Sequence, residues 1–174
     1  MTVATLKTQR FVLRELATDD LEALQRIVGD FEVSKWLVPV PHPYTRDDAE
    51  DFLHKVRQGG EGNLWAIEHE ATFVGLIGIE PSLGYWLCPS VWGRGLMTEA
   101  VQMVVDRFFD HSDHTQIQSC YFEGNTGSKR VLEKVGFVDI GPGTSFSMAR
   151  QAEVSSRRMQ LTRARWSSLR AGAI

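Results

Sequence analysis

One stretch of this chain restricts its fold more than any other. Leu83 to Cys88 reads as a short strand closed by Pro89, and a loop holding Gly93 and Gly95 leads from it into a helix predicted over Arg94 to Phe109. Met97, Val101, Val104 and Phe108 recur there at helical spacing, with Ala100 and Val105 beside them. Thr115 to Phe122 then reads as a second strand. A strand, a crossover helix and a further strand make the two strands parallel neighbours in one sheet.

The rest of the chain is arranged around that unit. Arg10 to Leu16 alternates well enough to predict a first strand. Thr18 follows as a predicted N-cap, with Asp19 and Asp20 in the first turn and Leu21, Leu24, Ile27 and Val28 as the apolar stripe. Pro39, Pro41 and Pro43 mark a loop. Thr45 and Asp48 open a helix that turns Ala49, Phe52, Leu53 and Val56 inward and stops at Gly59-Gly60. Leu64 to Glu68 and Phe73 to Glu80 predict a hairpin. Asn125 or Thr126 caps a short helix that buries Val131, Leu132 and Val135 and ends at Gly136. Phe137 to Ile140 and Val154 to Thr162 are the last predicted strands, separated by a Gly-Pro-Gly loop. This order predicts a single α/β (α+β) domain over residues 1–174, with about four helices on a mixed sheet.

Composition narrows the function classes. A formal charge of -3 argues against a chain whose main partner is nucleic acid. The longest apolar stretch, near Phe73 to Ile79, is too short for a bilayer, and Met1 to Leu16 lacks the apolar block of a signal peptide. Two cysteines make no disulfide framework, so a reducing, cytoplasmic setting is expected, with no membrane partner. Charge is unevenly spread: Met1 to Met148 carries a net -8, whereas Ala149 to Ile174 carries +5 from six arginines and Glu153. That end reads either as a solvated strand and tail or as a basic edge able to attract an anion.

Gly93 and Gly95 let the backbone approach a ligand closely, and the free N–H groups at the following helix start face an anion, aided by the helix dipole. That is a phosphate or pyrophosphate cradle, although a purely structural loop accounts for Gly-x-Gly equally well. No Gly-Lys-Ser/Thr follows, which excludes a P-loop, and no third glycine completes a dinucleotide fingerprint.

Three long blocks resemble one family. Leu83-Gly-Tyr-Trp-Leu-Cys-Pro-Ser-Val-Trp-Gly-Arg-Gly-Leu-Met-Thr-Glu-Ala100 is similar to the acyl-CoA pyrophosphate loop of the GNAT superfamily of N-acetyltransferases, above all its ribosomal-protein (RimJ/RimL-type) branch. Asn125-Thr-Gly-Ser128 with Arg130-Val-Leu-Glu-Lys-Val-Gly-Phe137, and the opening Thr8-Gln-Arg-Phe-Val-Leu-Arg14, resemble the same branch. The resemblance implies a mostly antiparallel sheet with two splayed parallel central strands. Acetyl-CoA would enter between them as co-substrate, with no metal. It implies that Leu87 holds the pantetheine arm and polarises the thioester carbonyl. Gly93, Arg94, Gly95, Leu96, Met97 and Thr98 would bind the pyrophosphate, and Asn125 the cofactor arm, beside its role as a helix cap.

Transfer to an amine poses two proton problems: an amine of pKa near ~10 must lose a proton, and a leaving thiolate of pKa ~8.5 should gain one. Ser128 matches the position from which the branch protonates the thiolate, although a serine in a helix's first turn also serves as a cap. The Tyr that many family members use four residues later is Leu132 here. Where the branch often carries Glu, this chain has Ser82, so Glu80 is the candidate base, with Glu68 and a water relay as alternatives. Cys88 reads as a small buried residue, and His111-Ser-Asp-His114 as a polar loop rather than a metal site. Trp36, beside the proline-rich loop, is the aromatic placed to meet an acceptor. The function expected is acetyl transfer from acetyl-CoA to a primary amine (a protein N-terminal α-amine or a small amine) by a monomer or homodimer. The alternative is a non-catalytic acyl-CoA-binding or sensing module.

Overall fold

Phe73 to Ile79 is apolar at nearly every position because it is buried on both faces: Phe73 and Leu76 pack on one side, and Val74, Ile77 and Ile79 on the other. It belongs to β4 (Thr72–Ile79), inside an antiparallel sheet ordered β1 (Leu6–Lys7), β2 (Val12–Arg14), β3 (Asn63–His69), β4, β5 (Gly84–Leu87). The computed structural model describes residues 3–60, 62–79 and 82–172. A second antiparallel sheet has the order β6 (Gln116–Phe122), β8 (Ala152–Thr162), β7 (Val138–Ser147).

The described residues hold six α-helices. α1 (Leu21–Gly29), α2 (Phe31–Ser34) and α3 (Arg46–Arg57) form one core cluster, with Leu24, Val33 and Leu53 packed near Phe73 and Leu76. α4 (Leu96–His111), α5 (Thr126–Val135) and α6 (Arg163–Ala171) cover the other face through Val101, Leu132 and Trp166. The predicted parallel neighbours meet at one bridge, Leu83 to Ser119. There Leu83 N–H donates to the Gln118 carbonyl (2.9 Å) and Ser119 Oγ donates to the Leu83 carbonyl (2.9 Å). Beyond that point β5 and β6 lie in separate sheets.

Several local expectations change. Thr18 is not the cap: Ala17 precedes a short 3-10 turn, Thr18–Asp20, and the Asp20 carboxylate accepts from Ala17 N–H at 2.8 Å. Arg94 lies outside α4, because Gly95 adopts φ +78° and serves as its N-cap. The Gly-Pro-Gly segment is no loop but part of β7, where Pro142 pairs with Arg157. β7 is an edge strand, so the missing proline N–H breaks no ladder, and a bulge between Asp139 and Gly141 takes up the irregularity.

The arginine-rich end is a docked helix rather than a solvated tail. Trp166 is buried against Phe109, ring centroids 5.0 Å apart, and its Nε1–H donates to Asp106 at 2.7 Å. Arg163 donates to the Phe109 carbonyl at 2.7 Å and also to the Ser112 carbonyl, and Arg165 to the Gly136 carbonyl at 2.6 Å. Those carbonyls end α4 and α5, so the positive end satisfies orphan acceptors at helix C-termini. No helix among the described residues is long and apolar enough to cross a membrane.

Candidate active site

The site begins where β5 leaves β6. Cys88 N–H donates to the Val74 carbonyl (2.7 Å), and antiparallel alternation then turns both polar groups of Leu87 away from β4. The Leu87 carbonyl accepts from Trp92 Nε1 at 2.8 Å, and its N–H faces the opening between the two sheets. Gly75 permits this packing: a Cβ there would stand 2.3 Å from the Trp86 carbonyl oxygen and 3.1 Å from Leu87 Cα.

The loop after β5 is shaped by backbone angles. Gly93 and Gly95 have φ of +73° and +78°, where side chains are strained, while nothing stands within 4 Å of a Cβ at Gly93. Gly95 offers no side-chain acceptor, so the first-turn amides of Leu96, Met97 and Thr98 keep no capping partner. Leu96 and Met97 bury their side chains in the core, which fixes the direction of those amides. Arg10 holds the loop from a distant part of the chain: Nη2 donates to the Arg94 carbonyl (2.6 Å) and Nη1 to Glu99 (3.2 Å). Arg94 itself is exposed.

Across the opening, Asn125 is the N-cap of α5, its Oδ1 accepting from Ser128 N–H at 3.1 Å. That leaves its amide nitrogen for another acceptor. Ser128 Oγ lies 3.0 Å from Tyr85 Oη, which also donates to the Ser128 carbonyl at 3.2 Å. Burial pushes the Tyr85 hydroxyl well above its ordinary pKa, with the Ser128 hydrogen bond opposing the shift, so this tyrosine stays protonated. Leu132 has no exposed surface, so its position lies in the core rather than in the opening.

Sequence reading overlooked Tyr85 and Arg10. Tyr85 shares its strand face with Leu83 and Leu87, and that period-2 placement was the available signal. Arg10 lies in the opening motif block, but nothing in the sequence tied it to a carbonyl 84 residues away. The candidate base Glu80 lies outside the described residues. Glu68 is committed elsewhere, its Oε2 accepting from Arg14 Nε at 2.6 Å. Ser82 is exposed. Cys88 is half-buried beside Ser90, 3.2 Å away, and His111 Nδ1 lies 2.9 Å from the Arg107 carbonyl.

Two diverging strands, a glycine-capped helix start and a capped α5 opposite form a slot, with the uncapped first-turn amides of α4 at one side. Residues 10–138 match the acetyltransferase (GNAT) domain family. The chain belongs to the GNAT acetyltransferases. It is therefore an acyl-CoA-dependent acetyltransferase with acetyl-CoA as co-substrate. It is 26% identical over 155 residues to the uncharacterized N-acetyltransferase YoaA of Bacillus subtilis (strain 168), covering 78% of this chain and 84% of that protein. A GNAT-family acetyltransferase from Bacillus anthracis shares the fold at TM-score 0.79 and 20% identity, over 91% of this chain and 98% of that one. RimL, a ribosomal L7/L12 α-N-protein acetyltransferase solved with coenzyme A, shares it at TM-score 0.79 and 16% identity, again over 91% and 98%. The family accounts for the slot between the sheets.

Proposed function

We propose that this acetyltransferase acetylates a primary amine, either a protein N-terminal α-amine or a small-molecule amine, by direct attack within a ternary complex. The observation that carries the reading is the Leu87 N–H turned away from β4 into the gap where β5 leaves β6. Acetyl-CoA lies in that gap. The Leu87 amide donates to the thioester oxygen as charge develops there, and the amides from Gly93 to Thr98 hold the pyrophosphate. The free amide nitrogen of Asn125 meets the cofactor arm. The neutral amine attacks the carbonyl carbon, the C–S bond breaks, and Ser128 passes its proton to the leaving sulfur while the proton released by the amine returns to Ser128 Oγ through water. Tyr85, protonated throughout, fixes the direction of the Ser128 hydroxyl. Glu80 or a water chain takes the proton that the amine loses before attack. Two free thiols fit a reducing, cytoplasmic setting, and the chain acts as one domain.

The test pairs binding with turnover. Calorimetry should give saturable binding of acetyl-CoA and none of ATP. Ser128→Ala should lower kcat about 100-fold while leaving acetyl-CoA affinity unchanged, within the usual range for loss of a general acid. Unchanged kcat in that variant removes Ser128 from the mechanism, and absent acetyl-CoA binding removes the proposed site.

A further inference from the structure

A second feature of the slot bears on the acceptor. Arg150, in the turn between β7 and β8, lays its guanidinium against two aromatic faces, 4.8 Å from the Trp36 ring centroid and 5.6 Å from that of Phe122. Its Nε donates to the Lys35 carbonyl at 2.8 Å, which pins the group between α2 and the hairpin. The Nη edge has no carboxylate within 4.0 Å among the described residues. Neighbouring charges are otherwise engaged or lie out in solvent: Lys35 pairs with Glu32 at 2.6 Å, and Glu123 and Glu153 are exposed. A half-buried guanidinium without a counter-ion is a costly arrangement for the free protein, and its planar fork suits a carboxylate.

Its location decides what that anion belongs to. Phe122 ends β6 at the end where β5 and β6 part, and Trp36 Cη2 stands 3.7 Å from the Cβ position of Gly124, four residues before Ser128. The phosphate-facing amides at the start of α4 belong to a different corner of the slot, held by Arg10. We infer that Arg150, stacked between Trp36 and Phe122, is an anion anchor for the acceptor, selecting amines that carry a carboxylate close to the reacting nitrogen. This rests on the amine-acceptor reading above. The carboxylate has two sources, the α-carboxylate of a free amino acid or an acidic side chain at the second position of a peptide.

Matched acceptor pairs test it: a peptide beginning Ala-Asp against one beginning Ala-Asn, and a free amino acid against its amide. The wild-type protein should favour the acidic member of one pair by about 10-fold or more in kcat/KM, as expected of a charge-assisted hydrogen bond. Whichever pair shows the preference names the source. Arg150→Gln should bring the ratio towards one, and Arg150→Lys should restore part of it. Because each ratio compares two acceptors on one preparation, partial unfolding of a variant cancels. Calorimetric binding of the same peptides and amino acids to the CoA-loaded protein reads the ratio without turnover, so failure of amine transfer is distinguishable from failure of the anchor. Equal use of both members by the wild type overturns the inference, as does a preference that survives Arg150→Gln. A loss of acetyl-CoA affinity in Arg150→Gln would assign the anion to the cofactor and overturn it as well.

Discussion

Gly75 is the position where a single methyl group should separate site geometry from cofactor capture. In Gly75→Ala the new Cβ would meet the Trp86 carbonyl oxygen at 2.3 Å, Leu87 Cδ2 at 2.8 Å and Leu87 Cα at 3.1 Å. The Leu87 side-chain tip can rotate away, but the two backbone atoms cannot. Restoring an ordinary contact of 3.4 Å requires β4 and β5 to separate by about 1 Å at the end that presents the Leu87 N–H. The adjacent bond from Cys88 N–H to the Val74 carbonyl, 2.7 Å long, is the next to yield. Overpacking of this kind costs about 1–3 kcal/mol of stability, and a 1 Å misplacement of a reacting group costs roughly 100-fold in rate. The loop proposed to hold the pyrophosphate lies beyond Pro89 and is held separately by Arg10, so acetyl-CoA affinity should change much less than kcat. Thiol release under saturating acetyl-CoA gives kcat, and a thermal melt gives the stability. Gly78→Ala is the control, since its Cβ meets only the mobile tip of Leu64 at 3.0 Å and no backbone atom closer than 3.6 Å. Wild-type kcat and melting temperature in Gly75→Ala would refute the claim that this close approach sets the position of Leu87.

Tyr85→Phe should lower kcat about 10-fold with little change in KM for acetyl-CoA, the loss expected when one hydrogen bond to a reacting group disappears. Burial keeps the Tyr85 pKa above its ordinary value, so any alkaline limb below pH 10 belongs to another group and should not move in this variant; a moving limb contradicts the assignment. Trp166→Ala should cost about 3–5 kcal/mol, lowering the melting temperature by roughly 10 °C, while a solvated tail would leave the melt unchanged. Asp48, hydrogen-bonded by the Thr45 side chain and N–H, has a carboxyl held below its ordinary pKa, so its contribution is present above about pH 4 and is lost as pH falls through the lowered folded value. Asp48→Asn should therefore flatten the acid limb of an unfolding curve, and an unaltered limb would mean the cap adds nothing.

Local chemistry made much of the fold legible in the sequence. The capping pair Thr45 and Asp48, the stop at Gly136, the hairpin around residues 64–79 and the glycine loop before α4 all rest on contacts between residues close in the chain. The crossover from Leu83 to Phe122 followed from α4 alone, since a helix of that length returns the chain parallel to itself. Elements with weak local signals were missed. α2 is four residues long, and α6 has few apolar positions beyond Trp166, so its formation depends on docking to Phe109, Asp106 and the carbonyl ends of α4 and α5. Pro142 misled for the same reason, because only its place on an edge strand makes it harmless.

The sequence by itself determined the family, the glycine loop before α4 and the cap of α5, because each is written in residues a few positions apart. Tertiary structure alone decided how far β5 and β6 part beyond Leu83 and Ser119, since a single bridge holds them before each strand turns to its own sheet. It also decided the company of three side chains: Arg10 on the Arg94 carbonyl, Tyr85 on Ser128, and Arg150 between Trp36 and Phe122. These pairs are separated by 84, 43, 114 and 28 positions. No periodicity reaches that far, and only the closing of the core brings such partners into contact.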